Sequence, residues 1–333
     1  MSEVTKLHEI LSQHEFEHKK ILGEGAFSSV HLCYSKKYHH DFAIKQAKKH
    51  RLSAQEFQTL ISLNHPNVIK IYDAFEDESA QYLVMEYCPQ GTIKQKNISS
   101  YDKFIYYARQ ILEAVAYCHS KNIAHRDIKP DNIFLDQYDH IKLADFGLAR
   151  KFDINERSNE KCGSLMFFSP EMLQFQEIDP FKADIWAIGI TFYYMATGNY
   201  PFQSDSREDL KQLINLGELD YETYDVDPQI RFLINKMTTK NAKIRPTAEK
   251  VLKFPMFAQV GTMKTLFLKD KCNGKQLPTG YYTQLSLPID KATTNDATKT
   301  AQCDTILSYR GINRYPRIQR ITTRHQPKKT SLE

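Results

Sequence analysis

The chain has 333 residues, 41% of them apolar and 26% charged, with a formal net charge of +5, a composition that excludes wholesale disorder. Its longest apolar run, Ile185 to Thr197, is about 13 residues against the roughly 20 that a membrane-crossing helix needs, and the polar start MSEVTKLHEILSQHEFEHKK lacks a signal-peptide core. Cysteines 33, 88, 118, 162, 272 and 303 show neither CxxC nor disulfide-framework spacing, so the expectation is an intracellular protein, cytoplasmic or nuclear, with free thiols.

Residues 1–15 read as an N-terminal extension. His18–Leu22, Val30–Tyr34 and Asp41–Gln46 are short β-rich runs, parted by turn-like segments holding Gly23, Gly25 and residues 36–40. A helix is predicted over Ala54–Leu63, with Phe57, Leu60 and Ile61 on one face. Strands follow over Val68–Phe75 and Gln81–Glu86, around the acidic turn Glu76–Ser79. Beyond a strap at Cys88–Gly91 the period changes. Phe104, Tyr107, Ala108, Ile111, Leu112, Val115 and Cys118 have the spacing of a helix with one buried side. Two short strands, Asn132–Leu135 and His140–Leu143, precede long helical stretches from about Asp184. An α+β architecture is expected, with a small β-rich lobe (16–87), a larger helical lobe (92–257) and a ligand cleft between them. From Ala258 onward 13 basic residues face 5 acidic ones, a net +8, whereas the rest of the chain carries 32 and 35, a net −3. With Pro278, Pro288, Pro316 and Pro327 and little apolar periodicity, residues 258–333 are expected to be a largely flexible basic tail.

Three segments carry chemistry. Gly23-Glu24-Gly25-Ala26-Phe27-Ser28-Ser29-Val30 lies between two predicted strands. Glycines at its start let the backbone approach an anion and offer N–H groups to phosphates, and they equally serve a hairpin turn. The motif opens no helix, which disfavours a dinucleotide-binding fold. Lys45 ends the apolar strand Phe42-Ala43-Ile44-Lys45, and Glu56 on the following helix can turn back toward it. Such a pair would hold the ammonium where phosphate oxygens can reach it, while a strand-end lysine in solvent is the bland alternative. The third segment is His125-Arg126-Asp127-Ile128-Lys129-Pro130-Asp131-Asn132, followed by Asp145-Phe146-Gly147. Phosphoryl transfer needs a carboxylate to orient an attacking hydroxyl and oxygen ligands to hold Mg²⁺. Asp127 suits the first task, Asn132 and Asp145 the second. A surface loop accounts for each residue singly but not for the ordered set.

With GEGAFSSV, FAIK, HRDIKPDN, DFG and SPE in this order, residues 16–257 resemble a eukaryotic protein kinase. Asp184-Ile185-Trp186-Ala187-Ile188-Gly189 and Arg245 match the family's later landmarks. The resemblance implies a bilobal fold with an ATP cleft between the lobes, ATP and Mg²⁺ as cofactors, and protein substrates. It implies that Leu22, Gly23, Glu24, Gly25 and Val30 cover the nucleotide and that Lys45, paired with Glu56, contacts its α and β phosphates. Asp127 would act on the substrate hydroxyl, Lys129 would steady the γ-phosphate, and Asn132 and Asp145 would bind Mg²⁺. Val30, Ala43 and Phe134 would sandwich adenine beneath a hinge in which Met85 is gatekeeper and the backbones of Glu86 and Cys88 read the base. Leu60, Ile71, His125 and Phe146 would stack as a spine, and Glu171 would pair with Arg245. Lys129 matches the serine/threonine branch. HPNVIKIYDAF, VMEY and CGS look most like the calcium/calmodulin-dependent and AMP-activated group.

The chain departs from that pattern in several places. Ser28 stands for the third glycine, the segment from Lys45 to Glu56 is short, and no proline follows Ser164. Ser164 itself replaces the usual threonine and would still reach Asp127 and Lys129. Thr92 and Tyr194 stand where arginine-selecting relatives carry glutamate, which puts a preference for arginine-rich sites in doubt. Glu160, two residues before Cys162, occupies the place of the activating threonine. It would attract Arg126 as a partial substitute for phosphate, or be an ordinary exposed loop glutamate. Ser158 is the nearby phosphosite candidate. In the tail, Pro316 interrupts the only basic, isoleucine-bearing stretch, so calmodulin is not an expected partner. No nucleic-acid motif accompanies the tail's charge, and nucleic acid is not expected either. Docking of a regulatory protein through the tail stays open, as do Thr322 and Thr323 as autophosphorylation sites. The competing class is a pseudokinase scaffold, which loss of Lys45, Asp127, Asn132 or Asp145 would mark; all four are present.

Overall fold

A computed structural model describes residues 3–25, 28–48, 60–98, 100–174 and 177–258 of the chain. Glu56, most of the helix expected over 54–63, and the basic tail beyond Ala258 with Thr322 and Thr323 lie outside them. The chain divides between Gly261 and Thr262, and all the described residues belong to the first unit.

Five antiparallel strands form the small lobe: β1 (Phe16–Gly25), β2 (Ser28–Ser35), β3 (His40–Lys48), β4 (Ile71–Glu76) and β5 (Ala80–Glu86), in the order β1-β2-β3-β5-β4. Because side chains alternate across a strand, the sheet has two different faces. Cys33, Phe42, Ile44, Tyr82 and Val84 point to one side and form a small core with Leu7 and Leu11. Those two leucines belong to α1 (Glu3–Gln13), a helix covering the back of the sheet. The N-terminal extension is thus a built part of the lobe, and Leu7, Ile10 and Leu11 already show the i, i+3, i+4 spacing that requires it. Burying each leucine contributes about 1.5–3 kcal/mol. The opposite face carries Val30, Leu32, Ala43, Lys45, Leu83 and Met85, in register across three strands.

The strand expected over Val68–Phe75 begins at Ile71. Val68 bridges Leu143 in parallel, and the Ile69 amide donates to the Leu143 carbonyl at 2.8 Å. The first residues of that apolar run are therefore spent on joining the two lobes.

The large lobe is built on α2 (Tyr101–Ser120) and α4 (Pro180–Thr197). Asp179 caps α4 by accepting from the amides of Phe181 and Lys182, Pro180 fits its first turn, and Gly198 closes it with φ +74°. Apolar nearly all round, α4 is buried on most of its surface. The helices α3 (Pro170–Leu173), α5 (Arg207–Leu216), α6 (Pro228–Met237) and α7 (Ala248–Leu252) complete the lobe. Among the described residues no helix is long and apolar enough to cross a membrane. Two two-stranded ribbons, β7 (Ile133–Leu135) with β8 (Ile141–Leu143) and β6 (Ile123–Ala124) with β9 (Arg150–Lys151), hold the segments on which the site is built.

Candidate active site

The glycine motif forms the end of the β1–β2 hairpin, where Gly23 pairs with Val30, Glu24 with Ser29 and Gly25 with Ser28. Leu22 is exposed on β1. Beneath the hairpin the front face of the sheet sets Val30 beside Lys45 and Ala43 beside Met85. Phe134, on β7, and Met85, on β5, both pack against the core of the large lobe. At the end of β5, the Glu86 amide donates to the Lys70 carbonyl at 2.9 Å, and its carboxylate meets Lys142 at 2.8 Å. Cys88 is buried, and burial pushes its thiol up to about 12.

Asp127 is held from three sides. Lys129 Nζ donates to its Oδ2 at 2.7 Å and Asn132 Nδ2 donates to the same oxygen at 3.0 Å, while the amide and hydroxyl of Ser164 donate to Oδ1 at 3.2 and 3.1 Å. Lys129 also donates to Ser164 Oγ at 2.9 Å, so serine fulfils both contacts expected of the usual threonine. Asn132 spends its amide nitrogen on Asp127 and keeps its carbonyl oxygen. Lys45 Nζ reaches Asp145 Oδ1 at 2.7 Å. Burial opposes ionisation of Asp145, but the charge and hydrogen bond of Lys45 outweigh it and hold the carboxyl below the usual range. Asp145 takes φ +59° at the head of the turn Phe146–Leu148, which sends Phe146 inward. Phe146 meets His125 edge-on at 4.7 Å and shares one core with Leu60 and Ile71. Two hard oxygens, on Asn132 and Asp145, are thereby left for a cation of the Mg²⁺ type, which takes few protein ligands and completes its shell with water and phosphate.

The support of this loop was not legible as such in the sequence. Asp184, a carboxylate 1% exposed inside an apolar helix, accepts the amides of His125 and Arg126 at 2.8 Å each and His119 Nε2 at 2.9 Å. A charge buried within Asp184–Ile190 was the signal, since it must have partners. Gly163 was also missed. Its φ is +100°, and a Cβ there would lie 2.5 Å from the Arg126 carbonyl oxygen, so only glycine lets the segment pass the loop that carries Asp127.

Glu160 does meet Arg126, Oε2 to Nη1 at 2.6 Å, and Arg150 stands 3.8 Å from its other oxygen. Arg126 is tied in turn to the Leu148 carbonyl through Nε at 2.6 Å. Ser158 does not fit the part of phosphosite. It is 4% exposed, its backbone is paired both ways with Ile178 at 2.9 Å, and its hydroxyl accepts the Glu160 amide. Glu171 and Arg245 form the expected buried pair, with a two-pronged contact at 2.8 and 3.1 Å.

The protein kinase domain family matches residues 16–257. The chain is 35% identical over 259 residues to a calcium/calmodulin-dependent protein kinase type II of Caenorhabditis briggsae, covering 72% of this chain and 48% of that protein. It is 38% identical over 254 residues to calcium-dependent protein kinase 6 of Plasmodium berghei (72% and 17%), and 30% identical over 266 residues to sperm motility kinase Z of Mus musculus (76% and 53%). The match thus spans about half the length of these relatives, or less.

Proposed function

Because the chain belongs to the protein kinase family, in its calcium/calmodulin-dependent serine/threonine group, we propose that it transfers the γ-phosphate of ATP to serine and threonine hydroxyls of proteins. The carrying observation is the Asp127 carboxylate, oriented by Lys129, Asn132 and Ser164 together. An acceptor hydroxyl that replaces the Ser164 contact would donate its proton to Asp127 and turn its oxygen toward the phosphate. Lys129, already 2.7 Å from Asp127, would neutralise the oxygens of the group in flight. Such positioning, with little covalent work by the protein, suits this reaction. Lys45 would bind the α and β phosphates beneath the hairpin Gly23–Val30, with Val30, Ala43, Met85 and Phe134 against adenine and Glu86 and Cys88 at its edge. Asn132 and Asp145 would hold Mg²⁺, which supplies charge neutralisation to the phosphates. Glu160 would do permanently part of what a phosphate does, with about one charge rather than nearly two. Cysteines 33, 88, 118 and 162 are free, which supports a reducing, intracellular setting.

A pseudokinase reading has the geometry against it, since Lys45, Asp127, Asn132 and Asp145 are all present, with Lys45 bonded to Asp145 and Asn132 to Asp127. The deciding measurement is phosphate transfer from ATP·Mg²⁺ to a degenerate peptide library, with protein never exposed to another kinase. Serine and threonine labelling is expected, reduced about 10²–10⁴-fold in Asp127→Asn. Labelling that survives that substitution would refute the assignment.

A further inference from the structure

Lys94, Asp131, Tyr194 and Tyr200 form a cluster to which the reaction assigns no task. Asp131 lies in the turn Pro130–Asn132, next to the asparagine that holds Asp127. On the other side, Tyr200 meets Phe167 edge-on at 5.8 Å, and Phe167 closes the turn that begins after Ser164, whose hydroxyl is bonded to Asp127. The cluster therefore bridges the two stretches of backbone that flank the acceptor position.

Its parts hold one another. The rings of Tyr194 and Tyr200 stack at 4.7 Å and 29°, and Tyr194 OH donates to the Lys94 carbonyl at 3.1 Å, pinning the short turn Ile93–Gln95. Lys94 Nζ reaches Asp131 Oδ1 at 2.7 Å, with the two side chains 45% and 40% exposed. That hydrogen bond also raises the Lys94 pKa, against burial and with help from the charge of Asp131, so the ammonium stays charged across the working range. An exposed carboxylate beside an acceptor hydroxyl invites a basic residue of the incoming peptide. Here the carboxylate is already taken, by a lysine of the chain itself.

We propose that Lys94 is a specificity-determining residue: by occupying Asp131 it bars arginine and lysine next to the acceptor hydroxyl and selects segments with neutral, apolar or aromatic flanks that lie on the Tyr194–Tyr200 pair. A substrate arginine would have to displace Lys94 and remain beside its unpaired charge. Discrimination thus comes from a repulsive element as much as from an attractive one. The inference rests on the reading of Asp127 as the group that receives the hydroxyl.

Positional scanning of serine peptides with the full-length chain tests it. The variants are Lys94→Ala, Lys94→Gln, Asp131→Ala and the Lys94→Ala/Asp131→Ala double, each checked for an unchanged melting profile. The wild type is expected to show at most about a threefold preference for arginine over alanine at any flanking position. In Lys94→Ala the ratio of kcat/KM for arginine over alanine peptides should rise about tenfold at one or two positions, through KM, as a freed carboxylate allows. The double variant should lose that rise, which a merely structural effect of Lys94 would not do. Lys94→Gln, which keeps the length of the side chain without its charge, should behave as Lys94→Ala does. Unchanged selectivity in both Lys94 variants overturns the proposal, as does a strong arginine preference of the wild type. Labelling of no peptide overturns the phosphotransfer reading first and this inference with it.

Discussion

Replacing Glu160 by glutamine removes one charge from the anchor of the segment that carries Ser164, and preserves the shape of the side chain. In the wild type the contact to Arg126 is 2.6 Å and a second guanidinium, Arg150, stands at 3.8 Å. The hydrogen bond and charge of Arg126, aided by Arg150, hold the Glu160 carboxyl below its ordinary range, so it is ionised at neutral pH. Two unit charges about 4 Å apart attract by about 4 kcal/mol at an effective dielectric of 20 and by about 1 kcal/mol in bulk water. The Arg126 side chain is 14% exposed but that of Glu160 is 61% exposed, which places the pair near the lower figure, at about 1 kcal/mol. A loss of that size lowers the ratio of anchored to released segment about fivefold. The assay is the initial rate on a serine peptide at saturating ATP, using enzyme shown by mass spectrometry to be unphosphorylated. Glu160→Gln should lower kcat about two- to fivefold, and Glu160→Lys should lower it further. Raising the ionic strength from about 0.05 to 0.5 M, which shortens the screening length severalfold, should slow the wild type and leave Glu160→Gln nearly unaffected. A Glu160→Gln enzyme with the rate and salt response of the wild type would refute the reasoning.

Two further outcomes follow from the small lobe. Leu11→Ala, at a position 1% exposed against the back of the sheet, should lower the unfolding free energy by about 2–5 kcal/mol in urea titration, and a loss below 1 kcal/mol would mean that the helix is not docked there. His14, His18 and His31 all have their pKa lowered, chiefly by burial and, for His18 and His31, by neighbouring histidines. The unfolded chain then binds more protons just below the ordinary histidine value of 6.5, so stability is full above it and falls as the pH drops below it toward the depressed folded values. Melting curves between pH 7.5 and 5.5 should show that fall, flattened in a His18→Asn/His31→Asn double variant; an equal slope in both proteins would count against the cluster as its source.

The cluster around Asp127 was readable because its members sit close together in the chain. Asp127, Lys129 and Asn132 fall within six residues, and their mutual contacts follow from one turn. The alternation in β2, β3 and β5 puts Val30, Ala43, Lys45 and Met85 on one face of the sheet, while the roles given to them came from the resemblance. What stayed hidden depends on long-range approach. Asp184 acts on residues about sixty positions earlier, and nothing local in its helix says where its two amide partners come from. Lys94 and Asp131 lie 37 positions apart, and the turn Ile93–Gln95 that brings them together is pinned by Tyr194, 100 residues later in the chain. Ser158 failed for the same reason: its burial comes from pairing with Ile178, a contact that no window around residue 158 contains.

Gly163 divides the stretch between Gly147 and Pro170 into two regimes. Upstream, Ile154 is 84% exposed, while Ser158, paired with Ile178, and Glu160, bonded to Arg126, tie the stretch down, so changes cost least around Ile154. At Gly163 the backbone runs against the Arg126 carbonyl with no room for even a methyl group, and from that point the chain is in fixed register with Asp127 through Ser164. The glycine works as a ratchet pawl: slippage of the segment by one residue would drive a side chain into the catalytic loop. A shift in the upstream stretch is therefore transmitted to Ser164 and Asp127 through this single gauge of backbone thickness.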